Sequence, residues 1–430
     1  MNIAKLKQIW HAKDLRNDIL FVLGILLIYR ILAHIPIPGV DVAGLKNYLA
    51  GNQILGLLNI FTGGGLSNFS LVMLGLGPYI TSSIIFQLLT MVIPQIEELS
   101  KEGERGQQKI NQWTRYATVP LAILQSYATI ALISRTGQGA GAIVSSMTNF
   151  ELITAIISVT AGTVFLMWLG ELISEKKIGN GASILIFAGI VTALPQAVIQ
   201  AWSDLSTNPG ALTEYIMFLA IALISIAAIV FITEGERTIP ISYARQVIGS
   251  RIYGGSKTHL PLRVNPAGMI PIIFAVSIIV FPSFIAQFFL GAQSPFLVKT
   301  AQFIIDLLNP NHIFYGVFYF LLVVGFTYFY TAIIFQPAKI AENLQKQGGF
   351  VPGVRPGTET AGYLGGIMNK LLLAGSLFLG AIALLPILMQ GTFGVNLVIS
   401  GASMLIVVGV VIETIKQIDS QLMMRTYENQ

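Results

Sequence analysis

The chain has 430 residues, of which 54% are apolar and 10% charged, with a formal net charge of +5 and no cysteine. A water-soluble domain carries about 25% charged residues, so this chain cannot dress its surface for water alone and needs lipid as a second solvent. The lack of cysteine excludes disulfides, thiolate metal sites and thiol nucleophiles, and the four histidines (His11, His34, His259 and His312) fit no metal-ligand spacing.

In chain order, residues 1–17 are basic and mildly amphipathic through Ile3, Leu6, Ile9 and Trp10. They predict an uncleaved interfacial helix, because the apolar run that follows ends in Ile35-Pro36-Ile37-Pro38-Gly39 and not in a small-residue cleavage site. A membrane crossing needs about 20 mostly apolar residues. Ten such spans are predicted, at about 18–36, 69–93, 115–134, 151–171, 182–202, 213–232, 267–289, 313–335, 370–389 and 396–416. Residues 54–68, between spans one and two, are apolar but too short to cross, and Gly63-Gly64-Gly65 interrupts any helix there. They read as an interfacial loop or as a short re-entrant element beside a watery cavity. Two polar loops are long. Residues 233–265 carry five basic groups and predict a hairpin of Arg251-Ile252-Tyr253 with Thr258 to Val264 about Gly254-Gly255-Ser256; residues 336–369 hold Gly348-Gly349 and Val351-Pro352-Gly353-Val354-Arg355-Pro356-Gly357. Such basic loops set topology, or offer docking surface to a cytoplasmic protein or to ribosomal RNA phosphates.

With the N-terminus placed inside, 21 Lys and Arg fall on inside segments and three (Lys46, Arg135 and Lys299) on outside ones. That asymmetry obeys the positive-inside rule and supports both the count of ten and two cytoplasmic termini. Arg30 lies within span one, while Glu151, Glu171 and Glu413 sit near span ends. A charge at the bilayer centre costs about 2.5–3.5 kcal/mol on insertion scales, a cost ion-coupled transporters bear in order to carry their ion. A secondary transporter, or a receptor subunit without a pore, are the rival readings. Gly254-Gly255-Ser256-Lys257-Thr258 lacks the Gly before Lys that a phosphate loop requires, and no paired carboxylates, Ser/His/Asp set or metal cluster stands out. The chain therefore reads as no enzyme and as needing no cofactor, so nucleotide-driven work falls to a partner.

Seven motifs in order resemble the SecY family of protein-conducting channels. They are Ile35 to Gly39; residues 54–68; Gly77-Pro78-Tyr79-Ile80-Thr81 running into Gln87-Leu88-Leu89; Lys101-Glu102-Gly103-Glu104; Ile178-Gly179-Asn180-Gly181; Thr258-His259-Leu260-Pro261-Leu262; and Val351 to Gly357. The resemblance implies an all-α polytopic protein of ten transmembrane helices in two inverted pseudo-symmetric five-helix halves, 1–202 and 203–430, around a central hourglass pore. It implies a ring of aliphatic side chains at Leu76, Ile80, Ile186, Ile190, Ile273 and Ile406, and a plug at 54–68 with Leu58, Phe61, Gly63, Gly64 and Gly65 at its core. Leu76/Ile80 and Ile186/Ile190 are four apart, so each pair shares a helix face. An apolar ring holds back water by dewetting and makes no sequence-specific bond to a passing chain. The resemblance further implies a lateral gate at Thr81, Gln87, Ser277 and Phe281, with Pro271 and Pro282 either kinking span seven or packing statically. Arg355, with Arg237, Arg245 and Arg251, is implied to dock the SecA ATPase or the ribosome. The expected partners are SecE, SecG, SecA, the ribosome, signal sequences, unfolded preproteins and membrane lipids, and the expected site is the bacterial plasma membrane.

Overall fold

The computed structural model describes residues 11–428 except 39, 52–55, 57–58, 60–61, 137–147, 208–211, 244–245, 249–250, 254–256, 291–293, 310–311 and 394–400. The described helices are α1 (Lys13–Leu32), α2 (Val42–Gly51), α3 (Gly77–Val92), α4 (Pro94–Lys101), α5 (Glu104–Thr136), α6 (Asn149–Glu175), α7 (Gly181–Thr207), α8 (Leu212–Glu234), α9 (Ile270–Phe289), α10 (Pro295–Leu307), α11 (Ile313–Ile334), α12 (Pro337–Lys346), α13 (Thr358–Phe393) and α14 (Gly401–Glu428). The strands are β1 (Glu236–Tyr243), β2 (Gln246–Ile248), β3 (Arg251–Tyr253), β4 (Lys257–Arg263) and β5 (Gly349–Phe350).

Each of the ten expected spans falls on a helix, but among the described residues length and composition alone qualify six helices to cross a membrane, or seven if α3 and α4, bent by 101°, count as one. Part of each apolar surface is exposed, most of all on α8. On α8, Ile216, Leu219, Leu223, Ile224 and Phe231 are all exposed. A contiguous patch of that kind on a soluble protein marks a binding or aggregation surface; here it is the face that lipid covers.

Span two differs from its expectation. Residues 71–76 are turns and the helix begins only at Gly77, with Pro78 in its first turn. Phe69 (φ 44°) and Gly75 (φ 55°) hold the left-handed conformation, which no continuous helix passes through. Sixteen residues rise about 24 Å, short of a 30 Å hydrocarbon core. Pro271 sits at the second position of α9, where it removes no helical hydrogen bond and bends nothing; Pro282 is the proline inside the helix.

The chain divides into two compact units. The first comprises Met1–Thr213, Val276–Tyr315 and Val398–Gln430. Within it, α3 packs on α5, α5 on α6, α6 on α7, and α7 on α14, with α1 against α6 and α7. Ser82 on α3 donates to the Thr114 carbonyl of α5 at 2.8 Å, the kind of hydroxyl bond that joins helices in lipid. Gln421 near the end of α14 donates to the carbonyls of Lys176 (3.2 Å) and Lys177 (2.7 Å) just past α6. A core of Ile37, Leu45, Leu66, Phe69, Met73, Ile130, Ile133 and Val159 fastens the segment after α1 to α5 and α6.

The second unit comprises Glu214–Ala275 and Gly316–Leu397. Its polar part corrects the expected hairpin: β3 pairs with β2 and not with β4, and β4 pairs with β1 from Glu236↔Arg263 to Ser242↔Lys257. β2 and β3 form a separate two-stranded sheet. β1 was hidden by Pro240, which breaks the run of strand-favouring residues in Thr238-Ile239-Pro240-Ile241-Ser242. β1 also pairs with β5 at Ser242↔Phe350 and Tyr243↔Gly349, giving a three-stranded sheet in the order β4-β1-β5. Ile239 and Leu262 pack with Val351, Leu364, Ile367 and Met368. The loops 233–265 and 336–369, read from sequence as two, thus share one sheet and one core. Much of the second is helical, as α12 and the first turns of α13.

Candidate functional site

The segment ahead of α3 is held by backbone and side-chain bonds from both ends. On one side it is tied to the chain after α1: Ile37 N–H donates to the Phe69 carbonyl at 2.9 Å, Leu71 N–H to the Ile35 carbonyl at 3.2 Å, and Asn68 Nδ2 to the Ala33 carbonyl at 3.1 Å. Internally, Ser67 N–H donates to Asn59 Oδ1 at 2.8 Å and Gly64 N–H to the Asn59 carbonyl at 2.9 Å. At its apex, the buried Tyr29 hydroxyl donates to the Thr62 carbonyl at 3.0 Å, and Arg30 Nη1 donates to the Gly63 carbonyl at 2.7 Å.

The same apex touches two glycines. Gly63 has φ 62°, and a Cβ built on it would lie 2.9 Å from the Gly189 Cα of α7 and 2.7 Å from the Tyr29 hydroxyl. Only glycine fits a left-handed residue packed backbone to backbone in this way. A Cβ on Gly75 would meet the Thr62 methyl at 3.2 Å. The Thr62–Gly63 step therefore rests on the residues that immediately precede Leu76 and Ile190.

Those positions are aliphatic and enclosed. Leu76 is the residue before α3 and is buried; Ile80 is half-buried one turn on, its N–H donating to the Leu76 carbonyl at 2.9 Å. Ile186 and Ile190 are buried on α7, and Ile406 is fully buried on α14, the neighbour of α7. Ile273 is buried on α9 in the second unit. Of the expected plug residues, Gly64 and Gly65 follow Gly63 directly, whereas Leu58 and Phe61 lie outside the described residues.

Of the expected gate residues, Thr81 donates to the Gly77 carbonyl at 3.0 Å and Gln87 Nε2 to Ser83 Oγ at 3.2 Å, both along α3. Ser277 is half-buried on α9, and Phe281, one turn on, is exposed immediately before Pro282. Arg355 stands on a fixed turn. Gly353 (φ 86°) and Gly357 (φ 99°) take left-handed conformations, Val354 N–H donates to the Val351 carbonyl at 3.1 Å, and Thr360 Oγ1 donates to the Arg355 carbonyl at 2.8 Å. Its side chain is 87% exposed and only loosely paired, 3.9 Å from Glu359. Arg237 is exposed on β1. Arg251 belongs to β3, and Arg245 lies outside the described residues.

Sequence reasoning flagged Arg30 through the cost of a charge in a span but did not find its partner. It missed Tyr29, Gly75 and Gly189, for which the only signal was small or polar character within apolar runs.

Fold and site together define a multi-pass α-helical membrane protein in which a glycine-rich, hydrogen-bonded segment packs beside enclosed aliphatic side chains. The SecY family model matches residues 70–415. The chain is 46% identical to the protein translocase subunit SecY of Streptomyces galbus over 431 residues, covering 97% of each. It is 41% identical to that of Aquifex aeolicus over 429 residues, covering 99% of this chain and 98% of the relative. A solved protein-conducting channel matches with a TM-score of 0.64 at 16% identity, over 93% of this chain and 90% of that one. Sec61 in a canine ribosome–channel complex from the endoplasmic reticulum matches with a TM-score of 0.60, also at 16% identity and over the same shares. The chain belongs to the SecY family, as its seven motifs imply.

Proposed function

We propose that this chain is the central subunit of a bacterial protein translocation channel, through which unfolded preproteins cross the plasma membrane and from which transmembrane segments pass sideways into lipid. Ten spans in two inverted five-helix halves place both termini in the cytoplasm, with SecE and SecG bracing the helices. Leu76, Ile80, Ile186, Ile190, Ile273 and Ile406 form the ring, residues 54–68 plug it, and Thr81, Gln87, Ser277 and Phe281 line the lateral gate. The sheet shared by loops 233–265 and 336–369 is the docking platform for SecA or the ribosome, with Arg355 on the exposed turn that follows β5. The chain itself does no chemistry; energy comes from those partners or from the membrane potential.

One observation carries this reading: the Thr62–Gly63 step sits directly against Gly75 and Gly189, the residues beside Leu76 and Ile190. A glycine-rich element held by a limited set of hydrogen bonds beside an aliphatic wall suits a stopper that must leave and return. The wall excludes ions by dewetting and is indifferent to the sequence that slides past it.

The test is electrical. In a complex reconstituted with SecE, combined Ile80→Gly and Ile406→Gly, or deletion of 54–68, is expected to make the resting channel leak ions. A crosslinker at position 80 should capture a stalled precursor. Unchanged conductance in both variants, together with no crosslink, sinks the assignment.

A further inference from the structure

We infer that Tyr29 and Arg30 on α1 latch the plug in its closed place, and that the strand-like tie between residues 35–37 and 69–71 is the hinge about which the plug moves when the latch breaks. The inference rests on the reading of residues 54–68 as a plug.

Arg30 is the only charged side chain in the apolar part of α1, and a charge there is costly unless it is used. Its position in the last helical turn favours a cation through the helix dipole, but its guanidinium does not fold back onto its own helix. It reaches 33 residues along the chain to the Gly63 carbonyl at 2.7 Å, a charge-assisted bond. Tyr29, 3% exposed, spends its hydroxyl on the adjacent carbonyl of Thr62. Two neighbouring donors on one rigid helix thus grip two neighbouring carbonyls at the tip of the plug. The tip's other bonds run within the segment, from Thr62 Oγ1 to the Asn59 carbonyl at 3.1 Å and from the Gly65 N–H to the Thr62 carbonyl at 3.1 Å.

The other end is built differently. Pro36 and Ser70 form an antiparallel bridge, with the Ile37-to-Phe69 and Leu71-to-Ile35 bonds flanking it. Phe69 beside it is fully buried with φ 44°, a conformation an aromatic residue holds only where its surroundings over-determine it. That end stays; the tip, whose two carbonyls are gripped by the side chains of Tyr29 and Arg30, is the end that lets go. Because both bonds go to backbone carbonyls, the latch places no demand on plug side chains beyond the glycine at 63.

The experiment reads the plug directly. The chain has no cysteine, so Ser67→Cys in the full complex with SecE supplies one thiol, whose labelling rate by a soluble maleimide, without precursor, reports how often the tip is free. Tyr29→Phe removes one oxygen and keeps the ring's packing; Arg30→Met removes the charge and keeps most of the bulk. A neutral hydrogen bond and a charge-assisted one shift such a population by about 2- to 10-fold and about 10- to 100-fold respectively. The expected labelling rates rise by those factors, and resting ion leak rises with them. Unchanged labelling in both variants overturns the latch, even where deletion of 54–68 still leaks and the plug reading stands. Faster labelling with no leak, in these variants and in the deletion, upholds the latch and removes the seal from the proposed function.

Discussion

Gly63→Ala tests whether the close approach at the tip of the plug keeps the resting channel shut. Alanine in the left-handed conformation costs about 1–2 kcal/mol, and Gly63 has φ 62°. The added methyl would also lie 2.9 Å from the Gly189 Cα, a backbone atom that cannot rotate aside, and overpacking of that kind typically costs about 1–3 kcal/mol more. The closed state should therefore lose about 2–5 kcal/mol relative to a state with the tip withdrawn. Gly64→Ala separates the two causes. Gly64 has φ 82°, but the nearest atom to its Cβ is Ser67 Oγ at 3.8 Å, so it carries the strain without the clash. A difference of 1–3 kcal/mol corresponds to about 5- to 150-fold in the population of the open form. Measured as resting ion conductance in planar bilayers, Gly63→Ala should leak at least about fivefold more than Gly64→Ala, and both more than the parent. Equal leak from the two variants would show that contact with α7 does not set the seal, and the geometric reasoning would fall with it.

Arg355→Glu reverses the charge on the exposed turn and should abolish SecA-driven export while leaving ribosome-driven membrane insertion intact; parallel in vitro assays of the two routes check it. Ile239→Ala empties part of the core shared by the two cytoplasmic loops, where Ile239 is 2% exposed, at a cost of about 2–5 kcal/mol. Limited proteolysis should then cut the 233–265 and 336–369 loops together and faster than in the parent, because they are one body. Gln421→Leu removes the donor from two carbonyls past α6 and should cost about 1–3 kcal/mol, read as earlier proteolytic loss of the C-terminal end of α14.

The spans were legible because lipid demands about 20 apolar residues in a row, and nothing in water imitates that. Their ends were not. α5 starts at Glu104 and α13 at Thr358, each some dozen residues before the apolar stretch, because a helix that leaves the membrane can continue in water on charged and small residues. A hydropathy window sees only the part in lipid. The partner of β4 was hidden for a different reason. Register depends on which strand lies opposite, and Pro240 and Pro261 both disguise the period-two pattern that would have revealed β1 against β4. The proposed ring and plug positions came from the family's motifs and not from physics, since one isoleucine in a span resembles any other. What holds the plug could not come from either: Tyr29 and Thr62 are 33 residues apart, and a carbonyl acceptor leaves no trace in the sequence.

The strength of the latch is bounded from both sides. Two bonds at the tip, one neutral and one charge-assisted, contribute about 2–4.5 kcal/mol together by ordinary values. Moving a two-state equilibrium from 1:99 to 99:1 takes about 5.5 kcal/mol of differential affinity, which an apolar signal segment of a dozen or so residues supplies with ease when it exchanges water for lipid at about 0.8 kcal/mol per buried methylene. A plug held by glycine contacts alone would be absent too often to seal. Two bonds from side chains of α1 would thus add a hold on the proposed plug that stays within reach of the segment that must displace it.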